Sequence, residues 1–234
     1  ENTNTFISIG DYVEFGKYEQ DNNTSNGLEP IKWQVLDIHD GKALLTSCYI
    51  LDNIQYCEYA GLNGDDSIES LPWSASNIFY WLHKDFAMTA FSEDEQMLIT
   101  SATNHSSEDA ETIGSVFLLS YDEIQKYYDI DTIKVKIGSD TEYTCVYSPE
   151  LLCEPTPYAI ENSIDCKELT QESIDNLAKK GFNCTSYVAG GKYSGYWLRT
   201  SFNFDSWFTA HGHALFVEHN GTIKTEKMIR RYSP

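Results

Sequence analysis

Positive charge is scarce in this 234-residue chain: 16 Lys+Arg face 36 Asp+Glu, for a formal net charge of −20. A phosphate backbone is bound by clustered Lys and Arg that release counterions, so the balance argues against nucleic acid as a partner. Long apolar runs are missing too. No stretch approaches the ~20 residues of a membrane-crossing helix, and no transmembrane segment is expected. The six cysteines include no Cys-x-x-Cys pair, the spacing of a zinc ribbon or a thioredoxin-like site. Also absent are a Gly-x-Ser-x-Gly elbow, a His-Glu-x-x-His helix and a phosphate-cradling glycine loop. The run from Gly190 to Gly195 fits neither nucleotide fingerprint and reads as a surface loop. No catalytic residue and no cofactor are assigned on these grounds.

What is present is a globular composition, 41% apolar and 14% aromatic. A chain of this length buries roughly 70% of its unfolded surface, enough for one large core or two small ones. Charge is uneven along it. Residues 1–175 carry 8 Lys+Arg against 33 Asp+Glu, and residues 176–234 carry 8 against 3, so a net of −25 is followed by +5. All three arginines, Arg199, Arg230 and Arg231, lie in the later segment. An acidic surface that keeps the protein soluble is the plain account, and a late cationic patch for an anionic partner the sharper one. The polar start Glu1-Asn2-Thr3-Asn4-Thr5 fits a mature exported protein or a trimmed one. Export predicts a secreted or cell-surface location and at least one disulfide. The sequence neighbours Cys48/Cys57, Cys145/Cys153 and Cys166/Cys184 are the candidate pairs, although spacing alone selects none.

The pattern opens and closes on strands. Tyr12 to Phe15 alternates, and Ile31–Ile38 reads as a strand with Ile31, Trp33 and Val35 on one face. Asp40-Gly41 then marks a hairpin turn into Ala43–Leu51. Helical spacing follows at Ile78, Phe79, Trp81, Leu82 and Phe86, with Ser74 or Ser76 as cap. Ser92 to Glu95 and Ser120 to Glu123 are capping boxes, in which hydroxyl and carboxylate satisfy each other's backbone donors. Val116–Leu119 reads as a short buried strand between them. Thr170 caps a helix that ends at Gly181. Strands are expected at Tyr196–Thr200, Trp207–Ala210, Ala214–Glu218 and near Met228–Arg231, with a hairpin turn at Asn220-Gly221. Terminal strands with helices between them define an α+β class with antiparallel sheets. Nothing divides the chain, so residues 1–234 are read as a single domain, with an insertion at about 130–184 that looks stapled to the main body.

Several strings carry a family likeness in this order: GDYVEFGKYEQD, EPIKWQVLDI, KALLTSCYILD, PWSASNIFYWLHKDFAMTAFSEDEQ, VFLLSYDEIQKYY, TPYA and YWLRTS. Together they resemble a bacterial, Firmicutes-type domain family of unknown function whose members are typically exported or surface proteins. The resemblance implies a C-type-lectin-like fold, shared with formylglycine-generating enzymes, and no mechanism. His83 stands where the family usually has Asn, and Ser201 where it usually has Pro. The oxidase chemistry of the formylglycine-generating enzymes needs two late cysteines, and only Cys184 is late.

The densest cluster of rings runs from Tyr187 to Phe216, with hydrogen-bonding groups interleaved at Ser201–Ser206. Such rings beside short polar groups suit a sugar face or a peptide. Tyr193, Arg199, Phe202, Asp205, Trp207 and His211 are therefore the candidate ligand-binding residues. Arg199 is read first as a structural ion pair and second as a ligand contact. His211, His213 and His219, with Asp205 or Glu218, offer zinc-type donors, but chance proximity is the better reading and no metal is assigned. Glu154-Pro155-Thr156 only half matches the calcium signal of sugar-binding lectins, and Asp65-Asp66 reads as a solvated acidic loop. The expected function is an exported, non-enzymatic binding module for a glycan or protein ligand. The rivals are a metal-assisted hydrolase of glycan or cell-wall material, and a structural spacer.

Overall fold

Asp40 and Gly41 both take positive φ, 50° and 72°, and close a two-residue turn. Consecutive left-handed residues match the twist of the strands they join, and Asp-Gly supplies them at low cost. The computed structural model describes residues 6–57, 72–103, 112–137, 141–162, 164–203 and 212–227. Around that turn, β1 (Tyr12–Tyr18), β2 (Glu29–His39) and β3 (Lys42–Ser47) form an antiparallel sheet in that order. The short β4 (Tyr49–Ile50) follows. Residues 73–98 are helical: α1 (Asn77–Trp81) runs through a wide π-type turn at Leu82–Phe86 into α2 (Ala87–Ala90), and α3 (Glu93–Leu98) comes next.

The remainder alternates. β5 (Ala102–Thr103) pairs with β6 (Thr112–Gly114), and α4 (Tyr121–Tyr127) leads into the hairpin β7 (Asp131–Ile137) and β8 (Thr141–Tyr147). β9 (Glu154–Pro155) pairs in parallel with β4. After α5 (Pro157–Glu161), β10 (Cys166–Glu168) and α6 (Gln171–Lys179) come β11 (Lys192–Ser194), β12 (Tyr196–Asn203), β13 (Gly212–Val217) and β14 (Thr222–Lys227). The largest sheet has five strands in the order β12-β13-β14-β8-β7. The fold is thus α+β, built mainly from antiparallel sheets. The hairpin of the expected insertion is hydrogen-bonded to the late sheet through Thr222↔Tyr147 and Ile223↔Val146. Main-chain pairing, rather than a covalent staple, makes that junction.

Both capping boxes form. Ser92 and Ser120 accept from the backbone N–H of Glu95 and Glu123, whose carboxylates accept in return from Ser92 N and Ser120 N. Ser76 caps α1 and Thr170 caps α6. Val116–Leu119 is not a strand: it runs as irregular chain, half-buried, and its carbonyls are used from the side, Leu118 O by the Arg199 guanidinium and Leu119 O by Arg199 N. The strands expected at Trp207–Ala210 and Met228–Arg231 lie outside the described residues.

Three apolar clusters fill the interior. The first packs Ile31, Trp73, Ile78, Leu82, Phe86 and Phe91 between the N-terminal sheet and the helices. The second gathers Tyr147, Ile174, Leu177 and Phe182 under α6. The third joins Ile124 of α4 to Leu198, Leu215 and Val217 of the late sheet.

No disulfide joins any of the six cysteines, which corrects the expected bridges. The candidate partners were neighbours in sequence, and secondary structure separates them. Cys145 lies within β8, on the second cluster, whereas Cys153 precedes β9 and approaches Cys48, its sulfur 3.8 Å from the Cys48 carbonyl oxygen. Cys57 is buried in the first cluster, and Cys166 begins β10. Burial is also the main cause that pushes the Cys153 thiol up to about 12, far from a reactive thiolate.

Candidate functional site: a ring-lined cleft

A cavity of about 1090 Å³ opens between the N-terminal sheet, the helices and the start of the late sheet. That volume suits a small organic ligand or a short oligomer. Its walls follow from the packing just described. β2 and the helices contribute Trp33 and Trp81, whose rings lie 6.4 Å from Phe91 and 5.3 Å from Phe86. The opposite wall is Trp197 of β12 against Phe216 of β13, with centroids 5.0 Å apart and planes at 72°. Residues 115–119 add Phe117, on which the Arg199 guanidinium stacks at 5.5 Å.

Two polar groups border these rings. In one, Asp37 Oδ2 accepts from Lys126 Nζ and from Tyr127 Oη, each at 3.0 Å. Those bonds, with Lys126 first, hold the Asp37 carboxyl below the usual range, while burial raises the Tyr127 phenol. The other group centres on His219. Lys167 pairs with Asp165 at 3.3 Å, and Lys224 with Glu218 at 2.6 Å. Burial, and then the nearby Lys167 charge, lower the His219 pKa, so the imidazole stays neutral near pH 7. Burial pushes the Glu218 carboxyl up, but bonds from Lys224 and Thr222 outweigh it and the net shift is downward. Asp37, Tyr127, Asp165, Lys167, Glu218, His219 and Lys224 all face the same cavity.

His83 joins two segments beside the cavity. Its Nε2 accepts from Ser115 N at 3.1 Å, so Nδ1 carries the proton and donates to Phe79 O at 2.7 Å. The ring thereby ties α1 to residues 115–119, the segment that carries Phe117.

The sequence-derived site is divided by this geometry. Tyr193 sits on β11, half-buried against the second cluster and under Gly191, away from the cavity. Arg199 takes the structural role given it first. Nη1 donates to Glu123 Oε2 and, at 2.7 Å, to Leu118 O, while Nη2 donates to Glu123 Oε1 at 2.8 Å. Phe202 belongs to β12 at the register of His213. Asp205, Trp207 and His211 lie outside the described residues, as do Asp65 and Asp66. Of the zinc-type donors, His219 and Glu218 are placed in the cleft, with Glu218 already engaged by Lys224 and Thr222. Trp81, Asp37 and Tyr127 also line the cavity, and the sequence pattern does not mark them as site residues. Trp81 falls on ordinary helix spacing, and the other two meet across 90 residues, a pairing with no local signal.

An α+β protein with antiparallel sheets and a ring-walled, ion-rimmed cleft is the class that this geometry defines. The chain belongs to the family described as Domain of unknown function (DUF6273), which it matches over residues 40–233. No curated protein and no solved structure matches it.

Proposed function

We propose that this chain is the ligand-binding module of an exported or surface protein, and that its cleft takes a glycan. The observation that carries this reading is the cavity itself. Indole and phenyl faces cover the apolar side of a pyranose, and nearby carboxylates, ammonium groups and a neutral imidazole can bond its hydroxyls. The C-type-lectin-like relationship implied by the family strings agrees with a binding role, as does the ring-rich segment ahead of β13.

A glycan array followed by calorimetry on the strongest hit tests this. Tyr49 also lines the cavity; Tyr49→Ala and Tyr127→Ala each remove a ring from it and are expected to weaken binding by about tenfold or more, in line with a lost stacking or hydrogen-bonding contact. Trp207→Ala asks whether the segment between β12 and β13 shares the site. Full binding by both tyrosine variants would remove the cleft from the account.

A further inference from the structure

We propose that Glu19, Asp21 and Glu29 form a calcium site at the far end of the β1–β2 hairpin. One ligand atom from each carboxylate lies within 4.8 Å of the other two. That span is about twice a Ca–O distance, so one ion can touch all three. The donors are all oxygen, with neither imidazole nor thiolate, which selects a hard cation over zinc or copper.

The second observation is Glu19 itself. Its side chain is buried, at 6% exposure, and its single hydrogen bond is from Asn23 N to Oε1, at 2.8 Å. No donor reaches Oε2, and no Lys, Arg or His pairs with any of the three carboxylates among the described residues. An ionised carboxylate is costly to bury unless a positive charge or a full set of donors meets it. Here two further negative groups meet it instead. A divalent cation resolves both the burial and the mutual repulsion.

The other contacts hold the frame and add no charge. Asp21 accepts from Asn23 N and Asn26 Nδ2, each at 2.8 Å, and Glu29 Oε2 accepts from Gln20 N at 2.8 Å and Asp21 N at 3.4 Å. The bound ion pins the loop of residues 20–28 between the ends of β1 and β2. None of the three residues lines the cleft, so this site stands independently of the glycan reading.

The chelator-treated 234-residue chain titrated with calcium chloride tests the site, alongside melting curves in calcium and in EDTA. Saturable binding with a Kd on the order of 10⁻⁴–10⁻³ M is expected, together with a melting temperature that climbs with calcium concentration. Asp21→Asn and Glu29→Gln, both at partly or fully exposed positions, should have at least the wild-type melting temperature in EDTA and bind calcium about tenfold or more weakly. Glu19→Gln should raise the melting temperature in EDTA, because it removes a buried charge, and abolish the rise in calcium. No saturable uptake at millimolar calcium overturns the proposal. So does wild-type affinity in both Asp21→Asn and Glu29→Gln.

Discussion

At the scale of single residues, carboxylates with unequal surroundings set how this protein responds to acid. Glu95 shows how. Bonds from Ser92 N and the Ser92 hydroxyl to Oε2, and from Gly16 N to Oε1, hold its carboxyl below the usual range. A carboxyl whose pKa is depressed by folding contributes stability above its unfolded value of about 4.3, and that contribution is lost as pH falls through the lower folded value. Glu95→Gln is therefore expected to lower the melting temperature at pH 7 and to flatten its decline below about pH 4.3. Melting temperature followed against pH for both proteins checks this. The capping role of Glu95 was legible in the Ser92–Glu95 spacing. Its bond to Gly16, 79 residues away, was not, because spacing reports only contacts within a turn or two.

At the scale of elements, α4 and β12 are held together by one side chain with two duties. Glu123 closes the capping box of α4 by accepting from Ser120 N at 2.8 Å, and the same carboxylate grips Arg199 of β12 through both oxygens. Arg199 is largely withdrawn from water, with 10% of its side chain exposed. Removing one partner of such a pair strands the other in low dielectric. Arg199→Ala is expected to cost about 3–5 kcal/mol, read as a lower urea midpoint at unchanged m-value. The hairpins at Asp40-Gly41 and Asn220-Gly221, the capped helices and most terminal strands were legible, since each carries its own turn or cap chemistry. Val116–Leu119 misled for the opposite reason. Four apolar residues satisfy a strand pattern, but nothing local says whether a neighbour will supply the ladder, and here Arg199 takes the carbonyls instead.

On the scale of the whole molecule, the three apolar clusters and the sheet junction do the joining that disulfides had been expected to do. A reductant should leave the melting temperature unchanged, and all six cysteines should react with a thiol reagent once the chain is denatured. Wild-type melting that falls in reductant would contradict this. The cleft was only half visible in the sequence. Its late wall lies within the ring-dense segment, at Trp197 and Phe216. Its early wall, at Trp33 and Trp81, comes from strand and helix positions that read as ordinary core. Which of those rings face a hollow depends on how sheet and helices meet, a property of the assembled fold.

The order of the five-stranded sheet leaves β7 outermost among the described residues. An outermost strand offers open peptide groups to any passing extended chain, and a Thr-Ile-Lys-Val-Lys-Ile run would suit such pairing well. In sequence, lysines at positions 134 and 136 break the apolar run at alternate places, the composition that discourages edge pairing.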